Sequence, residues 1–446
     1  MGLEMLRQER NTFEIFVSVG IALTFLLSFD RIGPLIGCVF LLLVLIISGF
    51  FQKNNPALSN AALGKNEKIY LFALIGFFAS ALLSFALGAK WILESQKFSF
   101  IDLDQPSKYL LLAYLTWLFW KKDFRISANF LFVLFVCSGY LNGLIGLYQR
   151  LGLHVHRVSG TSRFRGLGGG GIIEFGDASG ILTLFLLVIF LFARSKKEQA
   201  FVFGSIVFSY AACFMTGTRG SILSVLFGAL LVVLLVKFYQ PMYFKRVMAG
   251  CLALVIAVGM VSVLSPKEGA QRLKLVNTDL KAYKEGDVDT SIGLRFEMWK
   301  EALAMWELAP VFGLSSTEAS ARWREIMQKS QSRIDRKEWD YKGKKHNQFL
   351  NALGKRGIVG LLAILFVWYS IARLFSPYLR EKNPMIACAT LCALSMLCFS
   401  IIPNSFIGEI WESNVSIFLL CMGVALWWKV IQQERVKGGL CILKQV

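Results

Sequence analysis

Residues 341–375, YKGKKHNQFLNALGKRGIVGLLAILFVWYSIARLF, mark the point where a long polar segment ends and a strongly apolar segment begins. The polar part closes on Lys345, His346 and Asn347, and the apolar run starts near Phe349. An apolar run of about 20 residues is long enough to cross a bilayer. We therefore interpret His346 as a residue at a membrane boundary, with a loop before it and a membrane helix after it.

The composition of the whole chain is typical of a membrane protein. Of its 446 residues, 55% are hydrophobic and only 17% are charged, and the apolar residues fall into long blocks. A net charge of +19 can indicate nucleic-acid binding, but basic residues between membrane helices usually determine topology. We therefore predict an all-α, polytopic membrane protein that contacts membrane lipids and has no nucleic-acid partner.

Apolar runs of sufficient length recur along the chain and predict about 12 transmembrane helices. They lie at about 13–29, 32–51, 69–89, 107–120, 126–148, 172–193, 200–217, 220–236, 247–265, 349–372, 384–403 and 410–428. The fourth run is the weakest because it is short. The first run has no small-residue cleavage site, so we interpret it as a retained span and not as a signal peptide.

Lysine and arginine residues in the connections predict the orientation of these spans. With the N-terminus inside, the inner segments hold 21 Lys and Arg residues and the short outer loops hold 9. Both termini are then cytoplasmic. The predicted organisation is spans 1–9 in residues 1–265, a large helical loop on the outer side at 266–346, spans 10–12 in 347–429 and a cytoplasmic tail at 430–446.

Polar side chains collect on the predicted outer side. Arg163 and Arg165 precede a glycine run, 168–171, which leads into a span with Glu174 and Asp177 near its outer end. A glycine run that opens a helix can present backbone N–H groups to an anion, and a flexible connector is the alternative. Carboxylates within a span suggest a function, unless they are simply hydrated at the interface.

Two arginines on the same side are candidates for binding an anion. Arg219 lies at the outer membrane face with almost no loop around it, where a cation is costly unless it is paired or faces water. A side chain that reaches the interface along its aliphatic stem is the alternative. Arg295 lies in the first turn of a predicted helix, 291–309, where a cation opposes the helix dipole, so an anionic partner would suit it.

The helix predicted at 291–309 is amphipathic. It places Phe296, Trp299 and Leu303 on one stripe and turns Glu297 and Glu301 largely away from it. We expect the aromatic stripe to lie against the membrane surface or the bundle. A second, more basic helical pattern follows in the same loop and indicates a solvated face.

From about Arg150 to Phe375 the chain resembles the O-antigen ligase family, whose relatives include O-antigen polymerases and bacterial protein O-oligosaccharyltransferases. The most specific similarity is His346-Asn347, nine residues, and then Gly357-Ile358-Val359-Gly360. This pattern is similar to the family signature His-[Asn/Ser/Gln]-x9-Gly-x-x-Gly.

Arg219 and Arg295 also fall where the family carries its essential arginines. One departure is Trp299, which stands where the family often has a leucine four residues after the second arginine.

The resemblance implies an inner-membrane glycosyltransferase with a GT-C-like architecture. It would transfer a glycan from undecaprenyl diphosphate to the lipid A core oligosaccharide on the periplasmic face, with inversion, in lipopolysaccharide biosynthesis. His346 would accept the proton of the acceptor hydroxyl, and Arg219 and Arg295 would stabilise the departing diphosphate. No metal or other cofactor is expected. Further candidates for binding the diphosphate or the substrates are Arg163, Arg165, Lys345 and Asn347.

Two other functions remain open. An O-antigen polymerase or a protein O-oligosaccharyltransferase would use similar residues on a different acceptor. A transporter of lipid-linked glycans would need polar groups at mid-membrane, and the large outer loop argues against it. Acidic pairs at 102–104 and 287–289 resemble elements that hold a metal and a nucleotide sugar, but nucleotide sugars are not available on the outer side.

Overall fold

The computed structural model describes residues 2–30, 32–51, 63–88, 101–155, 158–159, 171–264, 278–334 and 345–443, and the regular structure within these ranges is helical. In chain order the helices are α1 (Gly2–Leu26), α2 (Gly33–Phe51), α3 (Lys65–Leu87), α4 (Ile101–Lys121), α5 (Ala128–Leu147), α6 (Ile172–Phe192), α7 (Lys196–Thr216), α8 (Arg219–Tyr239), α9 (Phe244–Leu264), α10 (Gly293–Leu308), α11 (Ser316–Ala321), α12 (Trp323–Ser330), α13 (Gln348–Phe375), α14 (Pro384–Ile401), α15 (Asn404–Ile407) and α16 (Asn414–Leu443).

Each predicted span overlaps one long helix. Within the described ranges, nine helices are long and apolar enough to cross a membrane, namely α3, α5–α9, α13, α14 and α16. Helices α1 and α2 contain shorter apolar segments, Thr12–Leu26 and Gly33–Ser48. The weakest predicted span corresponds to α4, which is longer than predicted but carries Asp102 and Asp104 in its first turn. The prediction of an all-α, polytopic membrane protein is therefore confirmed.

The centre of the bundle is formed by α6 and α16. Every residue of α6 from Phe175 to Leu191 is buried, and α6 packs against α7, α8, α14 and α16. Small residues let membrane helices approach closely. At Gly143, where α5 meets α7, a Cβ atom would lie only 2.5 Å from the Cβ of Phe208. Close helix packing thus gives the outer connections a rigid base.

Helix α13 is interrupted at Gly357, which has a left-handed backbone (φ 62°, ψ −159°). The loop docks at this break, because Ile358 N–H donates to Pro310 C=O at 2.9 Å and Val359 N–H donates to Val311 C=O at 3.2 Å. A Cβ atom on Gly357 would lie 2.4 Å from the carbonyl carbon of Val311. The first glycine of the Gly-x-x-Gly pattern therefore marks the place where the loop that carries α10 joins the bundle.

The acidic face of α10 points inward. Helix α10 packs on α13 and α12, and Glu297 and Glu301 are fully buried whereas Leu303 is 41% exposed. The sequence predicted that these carboxylates turn away from the aromatic stripe, and it did not predict their burial. The reason is that both have partners from other segments, including Tyr283 at 2.8 Å for Glu297, and a buried carboxylate is tolerated when it is hydrogen-bonded.

Candidate active site

Arg219 is the first residue of α8 and follows a two-residue turn. Helix α7 ends at Thr216, Gly217 is left-handed with φ 67°, and Thr218 precedes the helix. The turn is held by the Thr216 hydroxyl, whose oxygen accepts the Thr218 N–H at 3.2 Å. The short turn places a half-buried guanidinium at a helix N-terminus, where the unpaired N–H groups already carry partial positive charge.

Arg295 occupies a similar position, as the third residue of α10. Its guanidinium is half-buried, and its pKa is lowered by burial and by the charge of Arg219. The two side chains, 76 positions apart in sequence, are therefore close enough to repel each other. In the described part of the chain, neither forms an ion pair or hydrogen bond. Two such cations beside two helix N-termini are an arrangement suited to binding an anion.

The backbone at His346 has an unusual conformation. Its φ of +53° lies in the left-handed region, which is uncommon for residues other than glycine. The N–H groups of Lys345 and His346 both donate to one carboxylate oxygen, Glu409 Oε1, and the bond from His346 is 2.8 Å long. The segment is thus held from the connection between α14 and α16.

Lys345 and Asn347, on either side of His346, have their side chains engaged inside the protein. Lys345 Nζ lies 3.3 Å from Glu301 Oε2 in a buried ion pair, which links α10 to the His346 segment. The Asn347 oxygen caps α13 by accepting the N–H groups of Phe349 and Leu350, each at 3.0 Å. Both side chains therefore help to hold the segment that carries His346.

The connection between α14 and α16 also reaches the turn of Arg219. Asn404 Nδ2 donates to Asp177 Oδ1 at 2.8 Å, and Ser221 Oγ donates to the same oxygen at 2.6 Å. At Gly220, next to Arg219, a Cβ atom would lie 3.2 Å from Asn404 Oδ1. Asp177, which the sequence places within a predicted span, thus links the start of α8 at Arg219 to this connection.

Glu174 is engaged in a similar way. Its Oε2 accepts the N–H of Gly171 at 3.0 Å at the start of α6, and its Oε1 accepts a hydrogen bond from Ser413 Oγ at 3.3 Å. Glu174 and Asp177 therefore serve as anchors between α6 and the outer connection that precedes α16.

A further buried network centres on Glu412. Its carboxylate accepts hydrogen bonds from Asn351 at 2.6 Å, Arg356 at 2.5 Å and Gln348 at 3.4 Å. The Arg356 guanidinium carbon lies 4.4 Å from the centre of the Phe77 ring. The outer part of α13, which begins two residues after His346, is thereby fixed to both α3 and the last outer connection.

Sequence reasoning did not single out Asn404, Glu409 or Glu412. The available signal was a group of polar residues, IIPNSFIGEIWES at 401–413, between two strongly apolar runs.

The structure therefore brings Arg219, Arg295 and the His346 segment to one end of the bundle. Arg163 and Arg165 lie outside the described residues. Earlier in the chain, Val158 N–H donates to Met215 C=O at 3.3 Å just before the Arg219 turn.

Comparison with known proteins finds a family match for the middle of the chain. Residues 204–365, which include Arg219, Arg295, His346 and Gly357, match the sequence model of a family described as O-antigen ligase. The chain is 25% identical over 349 residues to an uncharacterised protein of Haemophilus influenzae. The alignment covers 77% of this chain and 80% of the relative.

A second similarity is to the O-antigen ligase of Escherichia coli strain K12. The identity is 23% over 185 residues, or 41% of this chain, and the match spans only 43% of the E. coli protein. The predicted resemblance is confirmed, and the family supports a role in glycosyl transfer. The chain is thus a multi-pass membrane protein whose residues 204–365 match the O-antigen ligase family.

Proposed function

We propose that this protein is an O-antigen ligase of the bacterial inner membrane. It transfers a glycan from undecaprenyl diphosphate to the lipid A core oligosaccharide on the periplasmic face. The observation that supports this proposal most strongly is the proximity of Arg219 and Arg295 at two helix N-termini. Both lie beside the segment that carries His346, within the residues that match the family.

The chemistry of the proposed reaction is a direct displacement. The acceptor hydroxyl oxygen attacks the anomeric carbon of the donor sugar while His346 accepts the hydroxyl proton. The bond between that carbon and the diphosphate oxygen breaks, and its electron pair leaves with undecaprenyl diphosphate. Attack opposite the leaving group inverts the anomeric centre. A histidine suits the proton transfer because its unperturbed pKa is about 6.5.

In this proposal Arg219 and Arg295 stabilise the charge that develops on the departing diphosphate. A guanidinium offers a fixed fork of N–H donors that fits phosphate oxygens. The anion also relieves the repulsion between the two arginines and complements the helix N-termini. Because the two guanidinium groups supply the positive charge, the proposed reaction needs no metal ion. Arg163 and Arg165 are proposed as further diphosphate ligands, and Lys345 and Asn347 as residues that support His346 beneath the bound substrates.

The test is deletion of the gene followed by gel analysis of lipopolysaccharide. We expect unsubstituted core together with glycan polymer that accumulates on its lipid carrier. Core that bears a single repeat would identify a polymerase instead, and unchanged lipopolysaccharide would point to a transferase that acts on proteins. Complementation with wild-type protein, but not with Arg219→Ala, should restore the ligated product.

A further inference from the structure

Glu409 lies in the outer connection between α14 and α16, outside residues 204–365 that match the family. Its side chain is buried, with 5% of the residue exposed. One of its carboxylate oxygens accepts the backbone N–H groups of both Lys345 and His346. A carboxylate oxygen that accepts the N–H groups of two consecutive residues fixes the orientation of the two peptide groups to which they belong.

These two N–H groups belong to a backbone that needs support. The left-handed conformation of His346 is unfavourable for a residue with a Cβ atom and persists where surrounding contacts hold it. The same connection forms hydrogen bonds with the side chains of the next two residues. Asn347 Nδ2 donates to Phe406 C=O at 3.1 Å, and Gln348 Oε1 accepts the N–H of Trp411 at 3.1 Å.

The connection also determines where His346 lies relative to the arginines. Its first residue in α15, Asn404, is bonded to Asp177, which in turn is bonded to Ser221, two positions after Arg219. One short segment between the last two membrane helices thus contacts both the arginine turn and the histidine backbone. Glu409 contacts the backbone of Lys345 and His346, whereas Asn404 makes the contact to the arginine turn.

We propose that Glu409 is a positioning residue for His346. By accepting the N–H groups of Lys345 and His346, it holds the imidazole over the anion site formed by Arg219 and Arg295. This inference rests on the proposed function, in which His346 takes the proton from the acceptor hydroxyl. The role depends on the carboxylate oxygen as a hydrogen-bond acceptor at the right distance, and not on its charge.

Three substitutions separate position from charge. Glu409→Gln keeps the length and one acceptor oxygen, Glu409→Asp keeps the charge but shortens the side chain by one methylene, and Glu409→Ala removes both. Glu307→Ala is the control, because Glu307 lies in α10, forms an ion pair with Lys329 at 3.0 Å and has a side chain that is 55% exposed.

The first measurement does not depend on activity. Amide hydrogen exchange is followed by mass spectrometry on the full-length protein in nanodiscs, in peptides that contain residues 345 and 346. We expect exchange of these amides to rise at least about tenfold in Glu409→Ala and Glu409→Asp, and to stay within about threefold of wild type in Glu409→Gln. Unchanged protection in Glu409→Ala would overturn the inference.

The second measurement uses transfer kinetics, with lipid-linked glycan and free core lipid extracted from the deletion strain. Glu409→Ala and Glu409→Asp should lower kcat by about 10- to 100-fold with little change in the KM for the donor, and Glu409→Gln should retain most of the activity. Full activity in Glu409→Asp with a loss in Glu409→Gln would show that charge matters and not position. If Glu409→Ala fails to accumulate, the Gln and Asp pair decides.

A double variant tests whether Glu409 acts through His346. Glu409→Ala should not slow His346→Ala further, because a positioning residue has nothing left to position. If Glu409→Ala lowered the residual rate of His346→Ala by the same factor by which it lowers the rate of the wild-type protein, the inference would be wrong. The two proposals can fail separately. If the wild-type protein did not glycosylate the core lipid, the proposed function would be wrong. If amide protection nevertheless followed the expected pattern, Glu409 would still be shown to position the His346 backbone.

Discussion

At the scale of single residues, the proposed site has two energetically unfavourable features, and each must be offset by groups outside the chain segment in which it occurs. Burial and the nearby charge of Arg219 lower the pKa of Arg295, and each arginine opposes the dipole of its helix. His346 has a left-handed backbone. A bound diphosphate would relieve the first strain, and the hydrogen bonds to Glu409 relieve the second.

We predict that His346→Ala lowers the rate of glycan transfer by about 10²- to 10⁴-fold without loss of folded protein, as expected for removal of a general base. His154, which is exposed, should tolerate alanine and serves as the control. Transfer is measured in membranes with matched amounts of protein. A decrease of only a few-fold in His346→Ala would show that this residue orients the acceptor and does not take its proton.

For the two arginines we predict that lysine is nearly as damaging as alanine. Lysine supplies a positive charge but lacks the planar fork of donors that holds two phosphate oxygens together. The Arg219→Lys and Arg295→Lys double variant should be little slower than the slower single variant, because groups that act as a unit are not additive. Transfer and carrier-lipid binding are both assayed, and full activity in both lysine variants would exclude a shared diphosphate clamp.

At the scale of elements, the important junction is the break in α13 at Gly357, where the outer loop docks through residues 310–314. Leu314 N–H donates to Gly354 C=O at 2.8 Å, which adds to the two bonds from Ile358 and Val359. Through this junction and the buried pair of Lys345 with Glu301, α10 is held in place and carries Arg295 toward Arg219.

We therefore predict that Gly357→Ala releases the loop. The substitution combines an unfavourable backbone conformation with a contact to Val311 that is too close for any Cβ atom, and overpacking of this kind typically costs about 1–3 kcal/mol. Hydrogen exchange should increase in residues 293–314 and transfer should fall at least about tenfold. Gly259→Ala in α9 is the control, because a Cβ atom there meets nothing within 4 Å. Equal behaviour of the two variants would contradict a docking role for Gly357.

At the scale of the whole molecule, the bundle brings together three segments that are distant in the chain. Arg219 starts one membrane helix, Arg295 lies in the loop, and His346 precedes another membrane helix. The buried helices α6 and α16 are joined by Asp177 and Ser416, whose hydroxyl donates to Asp177 Oδ2 at 3.2 Å, and Asp177 also binds Asn404 in the connection between α14 and α16. Only the assembled bundle creates the proposed site.

The predicted orientation of this bundle can be tested with fusions. Helices α7, α8 and α9 separate Lys197 from Lys284, so an odd number of spans places the two positions on opposite sides of the membrane. The distribution of Lys and Arg predicts that Lys284 is periplasmic. An alkaline phosphatase fusion near Lys284 should be active and one after Lys197 inactive. The reverse pattern would invert the topology and place the site on the cytoplasmic side.

The sequence by itself determined the helical, membrane-spanning class, the approximate positions of the long helices, and the three residues that we propose to carry the reaction. Span length and hydrophobicity are local properties, so a window of about 20 residues is sufficient to detect them. The signature that begins at His346 is equally local, although its chemical meaning came from resemblance and not from spacing.

Only the tertiary structure decided which polar groups face inward and what holds them. Periodicity placed Glu297 and Glu301 largely away from the aromatic stripe of their helix, but it did not predict that both are buried, with hydrogen bonds from Tyr283, Ser332 and Lys345. Glu409 contacts the backbone of His346 across 63 positions in sequence. The cost of burying a carboxylate depends on partners from other segments, and local patterns do not contain that information.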